Sequence, residues 1–79
     1  MTSDQGILSR IGRLVDEENE LHRRPGALSE EEASRLEDIE GELDQCWDLL
    51  NQRRALREFG EDPDRAKTRS EETVEEYLQ

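Results

Sequence analysis

The sequence is poor in the residues that carry most chemistry. It has one cysteine, one histidine, one Trp, one Tyr and one Phe in 79 residues, and only two prolines. With a single thiol, Cys46, no intrachain disulfide forms, and a reducing cytoplasm is the expected setting. One His and one Cys also leave no set of nucleophile, base and orienter, so no enzyme is expected and no catalytic residue or cofactor is assigned. No apolar run exceeds two residues, and Met1–Gly6 has neither the basic nor the apolar region of a signal peptide. Neither a leader nor a membrane span is therefore expected. Bases are scarce too: 11 Lys and Arg against 22 Asp and Glu give a charge of −11. Nucleic-acid binding draws on cations that neutralise phosphates, so direct contact with nucleic acid or anionic lipid is disfavoured. A chain this short buries only about 60% of the surface it exposes when unfolded, which leaves room for one small domain without a deep pocket.

What is present is helical periodicity. Ile7, Leu8, Ile11, Leu14, Val15 and Leu21 recur at threes and fours and share a sector of about 140°. They predict a helix over about 4–24, with Thr2, Ser3 or Asp4 as its cap and Pro25-Gly26 as its stop. Ser29 with Glu32 makes a capping box that opens a second helix over about 30–59. Its stripe is Leu36, Ile39, Leu43, Cys46, Trp47 and Leu50, and Gly60 followed by Asp62-Pro63-Asp64 closes it.

A loop of about five residues joins the two, so they lie antiparallel. A turn near Gly26 sets Leu14 beside Ile39 and Leu43, with Ile7 and Leu8 beside Cys46 and Trp47. The second helix overshoots by about ten residues, starting near Asn51. A second apolar line, Leu49, Leu56 and Phe59, runs about 140° from the first stripe, where one partner helix does not reach. Residues 61–79 form a polar tail that either frays or makes a short helix over 70–78, bringing Val74, Tyr77 and Leu78 together.

The expected fold is thus all-α. Residues 1–60 make an antiparallel, coiled-coil-like two-helix hairpin carrying a short helical or disordered tail. A lone hairpin leaves its stripe open on two flanks, and pairing as a homodimer into a four-helix bundle covers them.

Individual residues are weighed against their plainest roles. Glu18 and His22 share a helix face, but a register-setting polar pair accounts for them better than a metal site, because no second histidine exists. Cys46 reads as a small buried hydrophobe, with a thiol switch as the alternative. Trp47 reads first as core, and as a partner anchor if its ring is part exposed. The acidic runs read as solvated helix faces, or else as a surface that docks on a basic protein. Gln52–Arg57 is a basic cluster and reads as a solvated helix end.

The strings Leu43-Asp44-Gln45-Cys46-Trp47-Asp48-Leu49-Leu50-Asn51-Gln52-Arg53-Arg54, Gly60-Glu61-Asp62-Pro63-Asp64 and Val74-Glu75-Glu76-Tyr77-Leu78-Gln79 carry a resemblance. With Ile11, Leu14, Val15, Asp16 and Glu17, they resemble the short actinobacterial proteins grouped as domain of unknown function 2630. No activity comes with that family. The resemblance implies that Arg53, Arg54, Asp62, Pro63, Tyr77 and Leu78 belong to a recurring pattern. The expected function is therefore a non-enzymatic protein-protein interaction or regulatory module. Its expected contact residues are Trp47, Leu49, Arg53, Leu56, Phe59, Val74, Tyr77 and Leu78. The alternatives are an acidic antagonist of a basic nucleic-acid-binding partner and a Cys46 thiol switch.

Overall fold

The computed structural model describes residues 3–69 and Val74. Among the described residues two helices, α1 (Asp4–Arg23) and α2 (Glu30–Glu58), are followed by a 3-10 turn at Pro63–Arg65. The expected all-α hairpin is the fold observed.

Each boundary has a local cause. The Ser3 hydroxyl accepts from the Gly6 N–H at 3.0 Å and caps α1. At the other end Arg24 is extended, with φ −66° and ψ 135°, because the ring of the following Pro25 disfavours helical geometry there. Gly26 then takes φ +83° to turn the chain. The capping box at α2 is complete: Glu32 N–H donates to Ser29 Oγ at 3.1 Å, and Ser29 N–H donates to Glu32 Oε1 at 3.0 Å. Arg24 also pairs with Glu32, tying the loop across its base.

At the end of α2 Gly60 adopts φ +74°. Its N–H donates to Arg57 O at 3.1 Å and that of Glu61 donates to Leu56 O at 2.8 Å, the two bonds of a Schellman stop. The chain therefore folds back on α2 instead of continuing outward. Asp62 caps the 3-10 turn by accepting from Asp64 N–H at 2.9 Å.

Ile7, Ile11, Leu14 and Leu21 of α1 pack with Ile39, Cys46 and Leu50 of α2, with Val15, Leu36, Leu43 and Leu49 along the edges. Two ion pairs fix the antiparallel register. Arg35 donates to both oxygens of Glu17 at 2.6 and 2.9 Å, and Arg53 reaches Asp4 at 2.6 Å. Interpolating between them sets Leu14 level with Ile39, and Leu8 level with Trp47. Arg53 already stands opposite the first residue of α1, so the overhang begins near Arg54 and is shorter than helix lengths alone suggest. Gly41 lies about 160° round α2 from Ile39 and is buried too, so α2 is also covered on the side turned away from α1.

Ile39 is fully buried at the centre of this arrangement. Ile39→Ala is expected to cost about 2–5 kcal/mol in urea denaturation. Gly60→Ala, which forces a Cβ into left-handed backbone, is expected to cost about 1–2 kcal/mol. An unchanged denaturation midpoint in either variant would contradict the packing described.

Candidate interaction surfaces

The end of α2 carries the densest polar cluster. Arg53 is only 7% exposed, yet its guanidinium is well supplied with acceptors. Nε donates to Asp4 Oδ1 at 2.6 Å, and Nη1 donates to Asp64 Oδ1 at 2.9 Å and to the Pro63 carbonyl at 3.2 Å. Arg57 closes on the second oxygen of Asp4. One side chain thus joins the start of α1, the end of α2 and the 3-10 turn. The hydrogen bond from Arg53, then that from Arg57, holds the Asp4 carboxyl below its ordinary range. Bonds to Asp4 and then Asp64 push the Arg53 pKa up.

Beyond the hub, the returning chain lies along α2. Gln52 Nε2 donates to Lys67 O at 2.7 Å, while Lys67 N–H donates to Gln52 Oε1 at 3.3 Å. Gln45 Nε2 donates to Arg69 O at 3.1 Å, and Arg69 Nε lies 3.5 Å from Asp48 Oδ2. Gln45, Asp48 and Gln52 are interleaved with Leu49 and Leu56 on one side of the helix. Of the second apolar line predicted from the sequence, Leu49 borders the strap at Thr68, and Leu49 and Leu56 are half-buried. Phe59, at the turn, remains 82% exposed.

Between α1, α2 and the strap is a cavity of about 300 Å³, floored by Ile7, Cys46 and Leu49 and walled by Arg10, Gln45 and Thr68. Cys46 is buried, and burial pushes its thiol pKa up. It therefore stays protonated, which suits packing and disfavours nucleophilic or redox reactivity.

The opposite flank of the hairpin has no such cover among the described residues. Leu8 of α1 and Trp47 of α2 are level with one another and 46% and 45% exposed. Val15, Leu36 and Leu43 continue the strip toward the loop, each half-buried. The expectation that Trp47 is core is corrected here. Ile39, Cys46 and Leu50 occupy the sector facing α1, and Trp47 lies about 80° from Ile39, past its edge.

The other predicted contact residues fall in different places. Arg53 is turned inward and occupied within the chain, because the carboxylates of Asp4 and Asp64 converge on it. Val74 is helical and fully buried. Tyr77 and Leu78, and most of the expected 70–78 helix, lie outside the described residues. Glu18 is half-buried and His22 exposed, and the described residues include no group of three or more His, Cys, Asp or Glu able to hold a metal. No helix among them is long and apolar enough to cross a membrane. Sequence reasoning missed the glutamines. Gln45 and Gln52 stand seven apart, two turns along one helix face, and that spacing was the available signal.

Two measurements test the hub. Replacing Arg53 by Met keeps the volume and removes the guanidinium; both helices should persist by circular dichroism, while amide-exchange protection at 63–69 is lost. Asp4 has a depressed folded pKa, so the stability it supplies is complete above its unfolded pKa of ~3.9 and disappears as pH falls through the lower folded value. The difference in melting temperature between wild type and Asp4→Asn should therefore hold constant from about pH 8 to about pH 5 and close below about pH 4. A difference that persists at lower pH would detach Asp4 from the hub.

Comparison with known proteins agrees with the architecture in being silent about chemistry. The chain is 51% identical over 78 residues to the "Uncharacterized protein Rv0898c" of Mycobacterium tuberculosis, covering 95% of this chain and 90% of the relative. The "Uncharacterized protein Mb0922c" of Mycobacterium bovis matches with the same identity and coverage. No solved structure matches. The family model described as "Protein of unknown function (DUF2630)" matches residues 3–79, and the chain belongs to that family.

Proposed function

We propose that this protein is a non-enzymatic interaction module that acts through the Leu8–Trp47 flank and pairs there with a second copy, forming a four-helix bundle. The observation that carries the reading is the continuity of the strip: Leu8, Val15, Leu36, Leu43 and Trp47 line one side of both helices, while the other side is closed by the strap. Gly12 lies on the same flank, and a Cβ built there meets nothing within 4 Å. An interior helical glycine costs about 0.5–1 kcal/mol relative to alanine, and no close contact among the described residues calls for it. Close approach of a second copy's helix would account for it.

A two-fold axis crossing the strip near Val15 and Leu43 sets Trp47 of each copy against Leu36 of the other. A cytoplasmic home belongs to the same reading, supported by the single unpaired thiol.

Light scattering after gel filtration at tens of micromolar should give twice the 9.2 kDa chain mass, and Leu8→Glu/Trp47→Glu should give a folded monomer. Dilution should shift the emission of Trp47 to the red as its ring returns to water. Each copy carries −11, so added salt should tighten the pair by screening repulsion, whereas an acidic antagonist would lose its basic partner under the same conditions. A folded wild-type monomer with concentration-independent emission would overturn the proposal.

A further inference from the structure

The strap is held in a way that reads main chain more than side chains. The Gln52 carboxamide engages both the N–H and the C=O of Lys67, as a residue of a neighbouring strand does in an antiparallel pair. Its orientation is set from the helix side, because Gln52 Nε2 also donates to Asp48 Oδ2 at 2.8 Å and a carboxylate only accepts. Gln45 takes the carbonyl of Arg69, two residues on. Carbonyls two apart point the same way in an extended chain, so the paired glutamines select extended backbone. Ala66 enters the segment extended, at φ −64° and ψ 142°.

Charge supplies the second half of the recognition. Residues 65–69 read Arg-Ala-Lys-Thr-Arg, three positive charges and no negative one in a chain of net charge −11. The surface they lie on presents Asp48, which faces Arg69, with Glu42 and Asp44 nearby on the same helix. The strap side chains add little apolar burial: Lys67 and Thr68 are exposed. We propose that the Gln45–Gln52 face of α2 is a receptor for a short, basic, extended segment of another protein, and that residues 65–69 occupy it in cis as a stand-in.

Tethering places the strap at an effective concentration in the millimolar range, so an external peptide competes at a disadvantage until the strap is loosened. A fluorescein-labelled peptide Asp-Arg-Ala-Lys-Thr-Arg-Ser, the sequence of residues 64–70, is a direct probe in fluorescence anisotropy. Lys67→Pro/Arg69→Glu removes the N–H offered to Gln52 and reverses the charge facing Asp48, leaving the receptor intact. That full-length variant should bind the probe at least about tenfold more tightly than wild type. Adding Gln45→Ala/Gln52→Ala should reverse the gain, and a probe with Glu in place of Arg and Lys should not bind.

A second readout uses the wild-type chain and does not depend on any variant folding. At millimolar probe carrying a nitroxide label, the side-chain amide resonances of Gln45 and Gln52 should broaden. Equal binding by wild type and the loosened variant, binding indifferent to the two glutamines, or unbroadened amides would each overturn the receptor. None of these outcomes bears on the Leu8–Trp47 flank, whose test is the oligomeric mass.

Discussion

A guanidinium withdrawn from water must find acceptors, and Arg53 finds them on two other pieces of chain, so that three are joined. Asp4 comes from the first turn of α1, Asp64 and the Pro63 carbonyl from the 3-10 turn, and the arginine itself from the last turns of α2. A buried ion pair is weak evidence of net stability, since desolvation offsets much of the attraction. Its strength is selectivity, because a misplaced partner leaves a charge stranded. Everything beyond the hairpin depends on this: the strap can lie along α2 only because the chain is first brought back by Gly60 and then fastened by Arg53.

The two long faces of α2 consequently have different characters. One flank is apolar, open and shared with α1. The opposite face is polar, closed by the protein's own chain and fixed by carboxamides and carboxylates. A single helix of 29 residues thus presents two chemically distinct surfaces, as an amphipathic helix does when each side is covered by different chemistry.

Much of this was legible in the sequence, and the pattern of what was not is instructive. Helix ends were readable because their signals are local: Ser29 with Glu32, Pro25 with Gly26, and Gly60 each act within a turn. The register was readable because the short loop at Gly26 leaves little choice of which apolar residues of the two helices meet. Trp47 was misread because a wheel gives angles, not the width of the facing helix, and α1 is too narrow to reach it. Arg53 was counted among exposed contacts because its acceptors are 49 and 11 residues away, beyond any local pattern. The strap was invisible for a related reason: glutamines bonding to backbone carbonyls leave no complementary side-chain signature.

The distance in sequence between Asp4 and Arg53 also orders events in time. Helical turns and the short loop at Gly26 form from neighbours within microseconds, whereas this contact must close a span of 49 residues. Hairpins displaced by one turn carry the arginine past its carboxylate and offer the incoming 3-10 turn nothing to grip. A hairpin slipped by a single turn thus lacks the site to which the 3-10 turn is fastened, so the hub ties the last described segment to one alignment of the two rods.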